Sequence, residues 1–152
     1  IFWHKGKNMT LNTKFLKIKK GFSNQNFMAT LGAKIKESDP GKCTIILPFH
    51  SKLTQQHGLF HGGSIAAIAD NAAGFAAYSL MMENYQPLTI EFKINFLSTA
   101  NGEKLISEAD ILKAGRSIFH ARSDVFCISK TRKTLVASAL VTVKATKAIS
   151  EI

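Results

Sequence analysis

The chain is poor in cross-linking and rigidifying residues: its 152 residues include two cysteines, three prolines and one tryptophan. Cys43 and Cys127 both fall in apolar strand-like stretches and make no metal-ligand spacing, so they read as core fillers of a reduced, cytoplasmic protein. No charged, apolar and small-residue segments follow one another at the start, so no secretion signal is expected there. Acidic residues are scarce too, ten against twenty Lys and Arg, giving a net charge of +10. That surplus favours an anionic partner such as nucleic acid, acidic membrane or a polyphosphate-bearing ligand, without choosing between them. An uncharged membrane-length run is also missing. The most apolar helical stretch carries Asp70 near its middle, where a bilayer would charge about 2.5 to 3.5 kcal/mol.

That stretch, His57 to Met82, is where the chain becomes specific. A glycine-rich turn runs into seven alanines past Gly63 with no proline, which predicts a long helix from Gly63 to Met82, roughly 30 Å at about 1.5 Å per residue. Ile65, Ile68, Ala69, Ala72, Phe75, Ala76 and Leu80 lie on overlapping faces, so the helix is expected to be apolar and buried nearly all round. A carboxylate inside such a helix needs a partner or a task.

Residues 1–8 read as a detached leader or expression-derived extension, and residues 9–152 as a single domain of ordinary size. Short helices are expected over Thr13 to Lys20 and Gln25 to Leu31, with Lys14, Lys17, Lys19 and Lys20 as a solvated face. Asp39-Pro40-Gly41 marks a hairpin turn between a strand from Gly32 to Glu37 and one through Cys43, Ile45, Leu47 and Phe49. After the helix, Pro87 opens a strand in which Ile90, Phe92, Ile94 and Phe96 alternate with Thr89, Glu91, Lys93 and Asn95. Three more follow, Leu105 to Leu112, Ser117 to Ile128 and Thr134 to Lys144, with Ile111, Phe119, Val125, Leu135, Ala137, Val141 and Val143 on the buried parity. Strands of this length reach roughly 33 to 40 Å, about as long as the helix. The expected fold class is therefore α+β, a curved antiparallel sheet wrapped around one central helix in the hotdog architecture. One sheet covers one side of a helix, so a second copy is expected to cover the other, giving a homodimer or a dimer of dimers.

The helix start and the carboxylate within the helix carry chemical potential of their own. Gly62 and Gly63 are expected to present unpaired backbone N–H groups at the positive end of the helix, the makings of an oxyanion hole. Asp70 can act as general base toward water or as nucleophile, with burial raising its pKa. Gly63 and Asp70 lie seven residues apart on one helix, roughly 10 Å along the axis, too far to share one carbonyl. Gly63 of one protomer is then expected to work with Asp70 of the other. His57 and His61 are four residues apart with no acidic or cysteine ligand nearby, so no metal site is expected.

Gln55, Gly58, His61-Gly62-Gly63, Ala69-Asp70-Asn71 and the segment TIEFKINFLSTA from Thr89 to Ala100 together resemble the PaaI-type branch of hotdog-fold acyl-CoA thioesterases. The likeness runs from about Phe15 to Val143. It implies that the helix N-terminus and an upstream amide side chain hold the thioester carbonyl, while the Asp and a strand hydroxyl of the other subunit handle the water. Carried over by position, Gly63 donates its N–H, Asp70 is base or nucleophile, Thr89 supplies the hydroxyl where relatives often have serine, and Gln55 supplies the amide where asparagine is usual. His61 orients the turn or touches substrate, beside Gly62 and Asn71. The resemblance implies an acyl-CoA substrate and no cofactor beyond the coenzyme A that the substrate carries. The basic surplus gains a use on its phosphates, with Arg116 the first candidate and Lys113, Arg122, Arg132 and Lys133 behind it. The alternative is a non-catalytic domain that binds or senses acyl-CoA. Nucleic acid and membrane are not expected as partners: the basic residues are dispersed, and no base-stacking motif or recognition helix is present.

Overall fold

The computed structural model describes residues 11–130 and 132–147. The leader expected over residues 1–8 lies outside the described residues. Two helices, α1 (Leu11–Ser23) and α2 (Asn26–Leu31), precede the strands β1 (Lys34–Asp39) and β2 (Lys42–Pro48). A short 3-10 turn over Ser51–Leu53 leads to the central helix α3 (Gly62–Tyr78), and β3 (Tyr85–Phe96), β4 (Lys104–Ala114), β5 (Ile118–Ser129) and β6 (Arg132–Lys147) follow. The turn between β1 and β2 falls on Pro40-Gly41, where Gly41 adopts a φ of 78° that only glycine takes without strain.

The strands form one six-stranded sheet in the order β1-β2-β4-β5-β6-β3, each neighbour antiparallel. β3 thus crosses to the edge opposite β1. α3 packs against all six strands, which is the hotdog arrangement. Its seat is lined by small and β-branched side chains: Ala109 on β4, Ala121 and Val125 on β5, and Ala137, Ala139, Val141 and Val143 on β6, all buried. Ala69, Ala72, Ala73 and Ala76 meet them from the helix with no exposure, so helix and sheet approach closely and leave few voids. The two polar groups in this layer satisfy each other, because the fully buried Ser107 and Ser123 hydroxyls lie 2.9 Å apart.

The structure departs from the sequence pattern in three places. α3 ends at Tyr78 rather than Met82, making it about 26 Å long. Ser79 stops it: its Oγ donates to the Ala76 carbonyl at 2.6 Å and accepts from the Gly41 N–H at 2.8 Å, tying the helix end to the β1–β2 turn. Leu135, expected in the core, is 37% exposed, while Val136 and Ala137 are both buried. The ladder steps from Val125–Ala137 to Phe126–Leu135, so Val136 is an extra residue in β6 and Leu135 falls on the outer face opposite Phe126. Finally, α3 is not buried all round. Ala66, Ala67, Asp70, Asn71, Gly74 and Tyr78 form a half-buried stripe away from the sheet. The α1–α2 pair covers part of it, with Phe22 tilted against Phe75 at 5.7 Å between ring centroids and the Lys17 ammonium 4.9 Å above the Tyr78 ring.

Candidate active site

Asp70 projects from the middle of that stripe, and Thr89 on β3 meets it: the threonine hydroxyl donates to Asp70 Oδ1 at 2.8 Å. The meeting depends on a register shift. Thr89 pairs with the buried Val143, but Glu91 pairs with Thr142, leaving Ile90 as an extra residue in β3. Before this bulge the odd-numbered residues face the helix; after it Phe92, Ile94 and Phe96 do, opposite Val141, Ala139 and Ala137. Thr89 therefore does not follow the outward polar parity that the alternation with Ile90 suggests. Burial raises the Asp70 pKa above the ordinary carboxylate value, and the Thr89 hydrogen bond pulls partly against that rise. No ion pair relieves the carboxylate among the described residues.

The start of α3 also differs from expectation. His61 is the N-cap, and its Nδ1 accepts the Gly63 N–H at 2.8 Å. Gly63 is thus not an unpaired donor, because the imidazole of its own chain already takes that proton. The N–H without a partner among the described residues belongs to Gly62. The Phe96 ring lies where a Gly62 side chain would go, 3.3 Å from a Cβ built there. His61 takes the turn-orienting place among its two expected roles. Gln55 stands in the loop just ahead, half-buried, with its Oε1 accepting from the His57 N–H. That bond uses the carbonyl end of the side chain and leaves its amide N–H groups for another acceptor.

Asn71 turns to the other side of Asp70. Its Nδ2 donates to Gln25 Oε1 at 2.7 Å, while its own Oδ1 is buried without a partner among the described residues. Gln25 was not legible as a neighbour of the site: it lies 46 residues away, and nothing in its local sequence marks it. Arg116 sits exposed in the β4–β5 turn without an ion pair among the described residues. Across the sheet Ile118 pairs with Lys144 and Lys144 with Leu88, next to Thr89, so this turn stands at the Thr89 end of β3, two strand spacings or roughly 10 Å away. Arg122 pairs instead with Asp124 at 3.4 Å, and Lys133 with Glu108 at 2.6 Å, on the outer face. A cleft of about 390 Å³ between α1 and β1 reaches Ser79 and is lined by Lys14, Lys36, Glu37 and Asp39. It begins nine residues beyond Asp70, about 13 Å along the helix, and contains none of the expected site residues.

Within one protomer the structure unites Asp70 with Thr89 and Gln55 with the helix start. It keeps these two pairs apart, since Gly62 and Asp70 lie eight residues apart on one helix, about 12 Å along its axis.

The comparisons with known proteins bear on this geometry. The thioesterase superfamily model matches residues 57–133, half of the chain, from the loop before α3 to the start of β6. A thioesterase family protein from Silicibacter pomeroyi superposes with a TM-score of 0.87 at 36% identity, over 89% of this chain and 99% of that one. The PaaI protein of the E. coli phenylacetic acid degradation operon gives a TM-score of 0.80 over 93% of this chain and 100% of that one, at 18% identity, a likeness of fold. A Halobacterium salinarum protein named as an esterase is 28% identical over 96 residues, 60% of this chain and 63% of its own length. The chain thus matches less than two thirds of that relative. On the family match and the close structural likeness, with the sheet and helix arranged as they are, the chain belongs to the hotdog-fold thioesterase superfamily.

Proposed function

We propose that the protein hydrolyses acyl-CoA thioesters to the free acid and coenzyme A. It works as a homodimer in which Asp70 and Thr89 of one protomer face Gly62 and Gln55 of the other. The observation that carries this reading is the Asp70–Thr89 pair: a half-buried carboxylate, held by a hydroxyl and by no cation, keeps the basicity that attack on a thioester needs. Asp70 takes a proton from water as the water oxygen adds to the carbonyl carbon. The Gly62 N–H at the positive helix end and the Gln55 amide hold the oxygen that becomes negative. Collapse then breaks the carbon–sulfur bond, and the proton leaves with the coenzyme A thiol. Direct attack by the carboxylate, forming an anhydride that water opens, uses the same atoms. Arg116 is suited to the coenzyme A phosphates by its position and free guanidinium.

The dimer reading rests on distance and on β3. Gly62 and Asp70 cannot serve one carbonyl within a single protomer, so a second copy must bring them together. β3 offers it a place: this edge strand has no neighbour on one side among the described residues, and it exposes Leu88, Ile90 and Phe96 by half or more. The test is to incubate the purified protein with a panel of acyl-CoAs and follow thiol release, with Asp70→Asn alongside. Turnover by the wild type and its loss in the variant are expected. Full turnover by Asp70→Asn overturns the mechanism, and binding of acyl-CoA without thiol release shifts the reading to a sensing or carrier domain.

A further inference from the structure

Gly74 has no reason within the protomer to be glycine. Glycine in a helix interior weakens the helix relative to alanine, and Gly74 is not among the glycines whose backbone needs a positive φ. Close packing does not demand it either. A Cβ at Gly21 would meet the Phe75 ring at 3.5 Å and one at Gly62 the Phe96 ring at 3.3 Å, but a Cβ at Gly74 would meet nothing within 4 Å among the described residues.

The position of that space is informative. Gly74 lies four residues past Asp70 on the same half-buried stripe, one turn and about 6 Å farther along the axis. Thr89 bounds Asp70 on one side and the Asn71–Gln25 pair bounds it on the other. The buried, unpartnered Asn71 Oδ1 lies on the turn between. Toward the helix N-terminus the Phe96 ring covers Gly62, whereas one turn past Asp70 no described atom lies within 4 Å of a Cβ placed at Gly74.

We infer that Gly74 determines acyl specificity: the carbon chain of the substrate leaves the Asp70–Thr89 pair along α3 and lies across Gly74, occupying the room its missing side chain leaves. This rests on the thioesterase reading above. A second copy's helix continuing across the same spot would lie over Asp70 instead of starting beside it, and would shut out the substrate. An alkyl chain attached to the reacting carbonyl has no such conflict.

The experiment measures kcat/KM for acetyl-CoA through palmitoyl-CoA with the wild type, Gly74→Ala and Gly74→Val, together with melting temperature and sedimentation. The longest chain accepted should shorten from glycine to alanine to valine, with kcat/KM for the longest substrates falling about tenfold or more relative to acetyl-CoA. Gly74→Ala should melt about 2 to 4 °C higher, which separates lost room from a damaged helix. If the wild type cleaves none of the series, the thioesterase reading fails and this inference with it. An active wild type whose chain-length profile is unchanged in both variants overturns the Gly74 inference alone. So does dissociation of the variants into monomers with activity lost alike on every chain length, which would assign Gly74 to contact between copies.

Discussion

Replacing Thr89 with valine removes the hydroxyl while keeping the branched shape that suits β3, so the packing against Val143 should survive. What disappears is the 2.8 Å hydrogen bond to Asp70. Hydrogen bonds to charged groups contribute about 1.5 to 3 kcal/mol, and both partners here are half-exposed, which places this bond at the lower end, about 1.5 to 2 kcal/mol. If that interaction orients the carboxylate in the transition state, kcat/KM should fall about 10- to 30-fold. The hydroxyl also holds the Asp70 pKa down against the rise caused by burial. Without it, the acid limb of the pH profile should move to higher pH, while Thr89→Ser keeps both rate and limb near the wild type. Thiol release measured across pH with the three proteins decides the matter. A valine variant with wild-type kcat/KM and an unmoved acid limb would refute a role for Thr89 in holding the base.

Asp70→Asn should be more stable than the wild type at neutral pH. The folded carboxyl has a raised pKa, so its stabilising contribution is full below the unfolded value of about 4 and is lost as pH rises through the folded value. Asparagine keeps an acceptor for Thr89 and removes the charge, so thermal melts should diverge toward neutral pH and converge in acid; lower stability at neutral pH would contradict the burial argument. Ile90→Glu on the exposed β3 edge should give monomers without thioesterase activity, read by ultracentrifugation and thiol release, and a fully active monomer would remove the case for a shared site. Ser107→Ala leaves the Ser123 hydroxyl buried and alone, costing about 1 to 3 kcal/mol in a denaturant titration. The double change to alanine should cost less than the two single changes summed, because it leaves no orphaned hydroxyl.

The strands and the central helix were legible because each carries its own period. Six alternating segments and one alanine-rich run admit few other arrangements, and the short turns fix the antiparallel order. Phase was not legible. From Thr89 to Phe96 the residue types alternate without interruption, so nothing in them marks Ile90 as the residue without a partner across the ladder. The same holds for Leu135, whose exposure follows from the extra residue Val136 beside it on β6. Asp70 stood out in the sequence as a charge in an apolar helix. The identity of the free amide did not, because choosing Gly62 over Gly63 depends on where the His61 ring turns. The Asn71–Gln25 contact joins segments too distant for any local pattern to pair.

The extra residue in β3 makes the strand's length a chemical variable. If the strand paired without a bulge while Phe92, Ile94 and Phe96 kept their places, Ile90 would stand opposite Val143 at the carboxylate and Thr89 would turn to the outer face. Every individual side chain could be retained and the hydroxyl would still face solvent. A one-residue slip in the pairing there should therefore harm the reaction more than many substitutions do, whereas the exposed β4–β5 turn at Gly115 and Arg116 can vary in length without disturbing which face each strand presents.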